Sequence, residues 1–365
     1  MLLTVNTGSS SVRLGWFETS RDTVHATAHS HHSLDAPPET LLREFLQGRT
    51  PRIVAHRVVH GGASLTTPCL IDSAVEHEIE RLASLAPLHN PRALTWMRAC
   101  RALLGTQLAQ IAVFDTAFYA ALPELAHTYA LPYALVQQHA IRRYGFHGLA
   151  HQAMWQRWCA LQPQCNGRGR VISLQLGAGC SISALADGVP QDTSMGFSPL
   201  EGLVMATRCG DLDPGVVLYL QRECGMTREA LDHIVSQESG LLGVSGLSAD
   251  MRVLLASPEP RARLAVELYC YRARKYIGAY LAVLGGADAI VFGGGVGEHA
   301  PEIRTRILQG LEWAGIHLDA SRNQLAVGVE ASIQGDGCPV MVWVLPVDEA
   351  AILATEALVL VGDKI

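Results

Sequence analysis

No Cys-x-x-Cys pair occurs in this 365-residue chain, and its nine cysteines are scattered. An odd, unpaired set excludes a disulfide scaffold and the usual paired-cysteine metal sites, and points to reduced thiols. The opening Met1-Leu2-Leu3-Thr4-Val5 lacks the basic start and long apolar run of a secretory leader, so a cytoplasmic location is expected. Charge is scarce, at 17% of residues with a net charge of −6. That balance argues against a nucleic-acid footprint. An unbroken membrane-length run is also missing. The most apolar stretch, Tyr276 to Gly297, is split by Gly285-Gly286 and charged at Asp288. It reads as a buried helix, a turn and a fully buried strand, so no membrane partner is expected. Two nucleotide signatures are absent as well. No Gly-Lys-Ser/Thr follows any glycine turn, and in "GGGVGEH" Glu298 stands where a Rossmann motif needs its last glycine.

Apolar residues make up 49% of the chain, enough for a large core and two or three domains. Leu2–Val5 and Val12–Phe17 read as strands around the turn "NTGSSS". The pattern recurs in "VISLQLGAGCSISALADG", again strand, glycine turn, strand. This suggests two similar α/β halves, each opening with a hairpin. "RIVAHRVVHGG" is a strand running out to a loop, and "QIAVFDTAF" a buried strand ending at Asp115. "ADAIVFGGGVGEHAPEIR" is strand, glycine turn, helix, with Pro301 suited to the first helical turn. "PVMVWVLPVDEAAILATEALVLV" closes the chain as strand, acidic loop, helix. His25, His29, His31 and His32 cluster without a cysteine or carboxylate beside them. A polar strand or loop is the reading there, not a metal site.

Glycine turns opening onto hydroxyls bring backbone N–H groups close to an anion. Three occur at strand ends: Gly8–Ser11, Gly177–Ser181 and Gly293–Gly297. Together they favour a nucleotide or polyphosphate ligand. Arg57 in "HRVVHGG" and Arg208 in "ATRCGDLDPG" adjoin glycines. A guanidinium in that setting suits bidentate binding of carboxylate or phosphoryl oxygens. Asp115 and Glu349 end apolar strands, where Mg²⁺ and substrates are commonly met in α/β folds, although a simple helix cap is equally open at this point.

The sequence resembles the acetate and propionate kinase family. "NTGSSSVRL", "HRVVHGG", "LAPLHNP", "VFDTAF", "RYGFHG", "DTSMGFSPLEGLVMATRCGDLDPG", "GLSADMR", "FGGGVGEHAPEIR" and "PVDEAAI" follow in the family's order over nearly the whole chain. The resemblance implies an actin-like fold of two ribonuclease-H-like domains around a nucleotide cleft. The first is expected over 1–118 with 350–365 returning to it, the second over 119–349. It implies reversible phosphoryl transfer from ATP to acetate with Mg²⁺ (or Mn²⁺), in a homodimer. Arg57, Asp115, His147 and Arg208 match the catalytic cluster, and Asn6 and Glu349 the metal-associated pair. Val59, Leu88, Phe146 and Pro199 match the pocket for the acyl methyl. Ser9, Ser10, Ser11, Arg13, Gln175, Gly177, Gly179, Asp250, Arg252, Gly295 and Gly297 match the nucleotide-binding segments.

The chain departs from the family's pattern in places. Gln175 and Ala178 replace a histidine and an asparagine in the second hairpin. Ala63 replaces a glutamate, His299 an asparagine, and "VDEA" stands for Thr-Asn-Glu-Glu. Three alternatives stand beside the acetate reading: a propionate-preferring kinase, since one methylene shifts affinity only modestly, a pyrophosphate-dependent one, and, left open by Gln175 and Ala178, a weakly active nucleotide-binding paralogue.

Overall fold

The computed structural model describes residues 1–8, 11–20, 23–33 and 35–362. The expected phosphate contacts Ser9 and Ser10 lie outside the described residues. The chain divides into two compact units: 1–120 with 146–153 and 348–365, and 121–145 with 154–347. The stretch 146–153, expected in the second domain, belongs to the first unit.

The first unit is built on β1 (Leu2–Thr7), β2 (Ser11–Ser20), β3 (Thr23–Ser33), β4 (Ile53–Val58), β5 (Cys69–Leu70) and β6 (Ala109–Phe114), in the order β3-β2-β1-β4-β6-β5. β1 pairs antiparallel with β2 and parallel with β4, and β4 runs parallel to β6. The clustered histidines His25, His29, His31 and His32 fall on β3, an edge strand.

β1 is buried at all six positions, as a strand covered on both faces requires. Alternation sorts its residues. Leu3, Val5 and Val54 pack with Leu42 and Phe45 of the helix Pro38–Leu46 and Trp96 of the helix Asn90–Leu104. Leu2, Ile53, Ala55, Ile111 and Val113 pack on the other face, with Leu353 and Ala357 of the helix Glu349–Gly362. Two-residue periodicity carries this sorting on to the polar residues at the strand ends. Asn6 shares the face of Leu2, and Arg57 that of Ile53 and Ala55. Both are aimed at the start of the C-terminal helix.

The second unit repeats the plan. Its strands are β7 (Arg170–Leu176), β8 (Cys180–Ala186), β9 (Val189–Thr193), β10 (Ala289–Gly293), β11 (Ala331–Ser332) and β12 (Met341–Val344), ordered β11-β12-β10-β7-β8-β9. Here β7 and β8 form the antiparallel hairpin, and β10 runs parallel to both β7 and β12. Each sheet is therefore three antiparallel strands followed by two parallel ones, with a two-residue strand closing the edge. The paired hairpins are there in both halves, and the shared order is the ribonuclease-H-like one that the family resemblance implies.

The helix Pro260–Leu284 buries Ala262, Ala265, Val266, Tyr269, Ala273, Ile277, Tyr280 and Leu281, an apolar stripe of helical spacing. Gly285 ends it in the left-handed conformation, φ 68°. The apolar stretch from Tyr276 to Gly297 is thus a helix end, a glycine turn, β10 and, in place of the expected second glycine turn, the start of the short helix Gly294–His299. No helix among the described residues is long and apolar enough to cross a membrane.

Candidate active site

The carboxyl ends of β1, β4 and β6 lie side by side in the first unit, and each carries a polar side chain at its end. Arg57, next to last on β4, is the hub. Its Nε lies 3.2 Å from both Asp115 oxygens and its Nη2 2.7 Å from Oδ2. Its Nη1 donates to Asn6 Oδ1 (3.1 Å) and to Glu349 Oε2 (3.3 Å). Asn6 Nδ2 donates to the same Glu349 oxygen at 2.7 Å. Asp115 and Asn6 are almost fully enclosed. Burial opposes the charge of Arg57, but Asp115 and Glu349 outweigh it and hold its pKa above the ordinary arginine value. Burial pushes the Asp115 carboxyl up, and the Arg57 guanidinium opposes it. Glu349 opens the C-terminal helix, where Asp348 caps the N–H of Ala351 at 3.0 Å. The replaced "VDEA" motif thus still supplies a helix cap.

His147 precedes the helix Gly148–Leu161 with a left-handed backbone, φ 57°. A non-glycine residue held there is strained and over-determined by its surroundings. The cause is next to it: a Cβ on Gly148 would sit 1.9 Å from the Asp115 carbonyl oxygen. Only glycine lets this helix press against the end of β6, and His147 is the residue before that contact. His151, one turn on, is fully buried, and burial followed by the His147 ring holds its pKa well below the usual imidazole value. Of the expected acyl pocket, Val59 and Phe146 are buried and Leu88 is 37% exposed. The Phe146 ring meets His60 edge to face, centroids 5.4 Å apart.

In the second unit Arg208 donates through Nη1 to the Pro199 carbonyl at 3.2 Å and touches Met205 Sδ at 3.7 Å. No carboxylate among the described residues pairs with it, and burial lowers its pKa. The Pro199 loop is fastened by a separate network. Arg143 Nη2 donates to Glu201 at 2.8 Å, Tyr129 donates its hydroxyl to the same carboxylate, and the Phe197 N–H donates to the Tyr129 oxygen at 2.8 Å.

The second hairpin turn is closed by Gly177 N–H to Gly179 carbonyl, 3.1 Å. Gln175 sits at the end of β7, its Oε1 buried without a partner among the described residues. Gly294, at φ 77°, needs to be glycine, because a Cβ would meet the Leu176 carbonyl at 2.7 Å. Gly295 and Gly297 follow in the helix Gly294–His299, and the His299 Nδ1 lies 3.1 Å from the Gly295 carbonyl. Asp250 and Arg252 are brought together at the surface, 2.6 Å apart, with Asp250 capping the helix Met251–Ala256. In the first unit Ser11 and Arg13 open β2, with Arg13 exposed beside Asn6 in register and the Gly8 N–H bonded to the Ser11 carbonyl at 2.8 Å.

His60, His151 and the Tyr129–Arg143–Glu201 network lie outside the residues that the sequence motifs single out. The second histidine of "HRVVHGG" and the four-residue spacing of His147 and His151 were visible signals. Nothing in the sequence joins Tyr129 to Glu201.

The donor set of the first unit suits a hard divalent cation. Arg57 bonds both carboxylates, Asp115 at 2.7 Å and Glu349 at 3.3 Å. Asn6 and Glu349 offer oxygen ligands, while the described residues hold no cluster of three metal-ligating histidines, cysteines or carboxylates. That inventory fits an ion that takes most of its ligands from substrate phosphates and water.

Comparison with known proteins bears on this chemistry. A family model described as the Acetokinase family matches residues 49–355. The acetate kinase of Chloroherpeton thalassium is 47% identical over 308 residues, covering 83% of this chain and 74% of that one. Among solved structures, Porphyromonas gingivalis acetate kinase superposes with a TM-score of 0.87 at 34% identity, covering 99% of both chains. A propionate kinase from Francisella tularensis gives 0.86 at 32%, covering 97% of this chain and 98% of that one.

Proposed function

Because the chain belongs to the acetokinase family, we propose that it transfers a phosphoryl group reversibly between ATP and acetate. Acetate is ionised at neutral pH, so its oxygen attacks the γ-phosphorus without a general base. The new O–P bond forms as the bond from phosphorus to the β–γ bridging oxygen breaks, giving acetyl phosphate and ADP. Such a reaction asks the protein to align two anions and to stabilise charge on the transferring group.

Arg208 carries this reading. A desolvated guanidinium with no carboxylate partner among the described residues is completed by an anion. Asp115 is read as an orienting group: with three hydrogen bonds from Arg57 on its two oxygens, it fixes a guanidinium and does not remove a proton. Asn6 and Glu349 are the residues that would hold Mg²⁺ or Mn²⁺. A divalent ion held there would neutralise charge on the phosphates. His147 is read as a hydrogen-bond donor to phosphoryl oxygens, Val59, Leu88, Phe146 and Pro199 as the wall around the acyl methyl, and the Gly177–Gly179 and Gly293–Gly297 turns as nucleotide contacts.

A homodimer completes the proposal. The helix Pro214–Arg222 buries none of its residues in its own chain, and Val216, Leu218 and Tyr219 are exposed on it, a surface suited to a second copy. Light scattering at micromolar concentration is expected to give twice the monomer mass. Chemistry is tested by assaying purified protein with ATP or pyrophosphate against acetate, propionate and butyrate. Acetyl phosphate from ATP and acetate is the expected product. A folded protein that phosphorylates acetate with neither donor overturns the reading, and a preference for propionate or pyrophosphate moves it to the corresponding alternative.

A further inference from the structure

Arg304 lies on the helix Pro301–Leu308, just past the Gly293–Gly297 turn, and is completely buried. Its guanidinium donates five hydrogen bonds. Nε reaches Asn323 Oδ1 (2.8 Å), Nη1 the carbonyls of Gly297 (2.7 Å) and Glu298 (3.2 Å), and Nη2 the carbonyls of Asn323 (2.8 Å) and Ala326 (2.6 Å). Every acceptor is neutral, and no carboxylate among the described residues pairs with it. Burial lowers its pKa to about 10, so it remains charged at neutral pH.

Part of this arrangement is structural. Gly297 and Glu298 lie at the end of the helix Gly294–His299, where the Glu298 carbonyl also accepts from the Gly328 N–H at 3.0 Å, and Asn323 and Ala326 lie at the end of the helix Ala320–Leu325, where the Asn323 carbonyl also accepts from the Ala326 N–H at 3.3 Å. One arginine satisfies both sets of carbonyls. The charge is not needed for that. An isolated buried cation is costly, and an apolar side chain with separately capped helices is usually the more stable solution. The charge is retained directly behind the turn assigned to the nucleotide phosphates, where low dielectric leaves its field poorly screened.

We propose that Arg304 is a positioning residue for the nucleotide. It holds the carbonyl side of the glycine turn in place, and its unneutralised charge strengthens the turn's hold on a polyphosphate. This rests on the reading of Gly293–Gly297 as a nucleotide contact.

The test titrates ADP and ATP calorimetrically against wild type, Asn323→Asp, Arg304→Met and Arg304→Lys, alongside acetate kinetics and urea unfolding. Asn323→Asp sets a carboxylate against the Arg304 Nε while keeping an acceptor there. The substitution also removes the Nδ2 donations to the Pro301 carbonyl (3.0 Å) and Thr305 Oγ1 (2.9 Å), so a lower unfolding midpoint is expected. In the folded protein it is expected to weaken ADP about tenfold, the size of one partly shielded charge interaction, with the KM for acetate little changed. Arg304→Met is expected to weaken ADP at least as much, and Arg304→Lys to recover part of the loss. A purely structural role predicts lower stability with unchanged nucleotide affinity in the folded fraction. That result in either Asn323→Asp or Arg304→Met overturns the proposal. Failure of the wild type itself to bind nucleotide overturns the underlying reading of the turn instead.

Discussion

The two sheets share one strand order, yet their strand ends are furnished differently. In the first, Asn6 and Arg57 are next to last on β1 and β4, and Asp115 follows β6. At the equivalent places of the second stand Gln175 on β7, Phe292 on β10 and Leu345 after β12. One fold plan thus presents a charged cluster in one unit and a neutral, glycine-rich edge in the other. Two cations of the second unit that differ from Arg57 come from elsewhere: Arg208 from a loop and Arg304 from a helix behind the glycine turn. They also differ in kind. Arg57 is bonded to two carboxylates, whereas Arg208 and Arg304 pair with none among the described residues. Topology sets where strand ends fall, and the residues placed there decide whether an end holds charge or admits a ligand's backbone contacts.

The sharpest way to break this contrast compares Arg57→Ala with Arg208→Ala. Both are expected to lower turnover by about 10³-fold or more, the scale of arginines that stabilise a transferring phosphoryl group. Their stabilities are expected to diverge. Removing Arg57 strands the buried Asp115 carboxylate and costs about 3–5 kcal/mol. Removing Arg208 leaves only a carbonyl without its donor, about 1 kcal/mol. Urea unfolding and kcat on the same preparations decide. Equal destabilisation by the two substitutions would make Arg208 a structural tie, and near-normal turnover in either folded variant would remove that arginine from the chemistry. A double variant, Arg57→Met with Asp115→Leu, is expected to regain stability and stay inactive.

On the opposite face of β4 from Arg57, His56 is buried with Nε2 2.7 Å from Gln110 Oε1 and Nδ1 unpartnered among the described residues. Burial lowers its pKa to about 4, with the Gln110 hydrogen bond opposing and the Arg101 charge assisting. The unfolded chain, near 6.5, therefore takes up the proton first. Stability from this group is complete above pH 6.5 and declines as pH falls towards 4, by about 3 kcal/mol in total. Unfolding free energies measured from pH 7 to 4 are expected to fall more steeply for wild type than for His56→Gln. Equal slopes would show that the ring is not held neutral by its burial. The effect belongs to the core side of the sheet, so the KM for nucleotide is expected to be the same in both proteins.

How far the sequence could be read follows the same division. Local signals were strong where glycine, proline and apolar runs mark strand ends, which is why both hairpins, β6 with Asp115, and the turn at Gly293 were legible. Parity along β1 and β4 was also implicit in the sequence, but that Asn6 and Arg57 converge on Glu349, more than 290 residues away, depends on sheet order. The family resemblance, not spacing, supplied that connection. The Tyr129–Glu201 contact and the five-bonded Arg304 were illegible for another reason. Each joins residues whose own segments read as ordinary loop or helix surface, and burial is a property of the packed chain. The pairing of Asp250 with Arg252 shows the converse. A neighbouring pair that matched a nucleotide segment also has a complete local explanation as a helix cap.

Acyl selectivity tests whether the buried end of the first unit is also a substrate wall. Phe146 is 1% exposed, and Phe146→Ala is expected to cost stability as other large core truncations do. The informative quantity is a ratio. The butyrate-to-acetate ratio of kcat/KM, measured on one preparation, is independent of the active fraction. It is expected to shift towards butyrate by about 1–3 kcal/mol per accommodated methylene. An unchanged ratio would leave Phe146 as core alone and relocate the acyl pocket.

The smallest expected effect lies at the neutral edge of the second sheet. Ala178 is exposed in the Gly177–Gly179 turn, and its carbonyl accepts from the Ala206 N–H at 3.0 Å. Its backbone is therefore engaged, while its side chain offers no donor where the family pattern has an asparagine amide. Gln175 keeps an amide in place of the family's histidine, its Oε1 buried without a partner among the described residues. A hydrogen bond to a charged group is worth about 1.5–3 kcal/mol, or roughly ten- to a hundredfold in rate when made only in the transition state. Restoring a donor at an exposed turn is expected to recover the lower end of that range. Ala178→Asn should raise kcat up to about tenfold, and Gln175→His by less, since an amide donor is already present. A bridging water is the competing account, because it donates to an anion nearly as well as a side chain. Steady-state kinetics of both single variants and the double separate the two. A flat or lower kcat in Ala178→Asn assigns the role to water. A gain in Ala178→Asn that survives in the double shows that the turn lacks a donor which its family supplies.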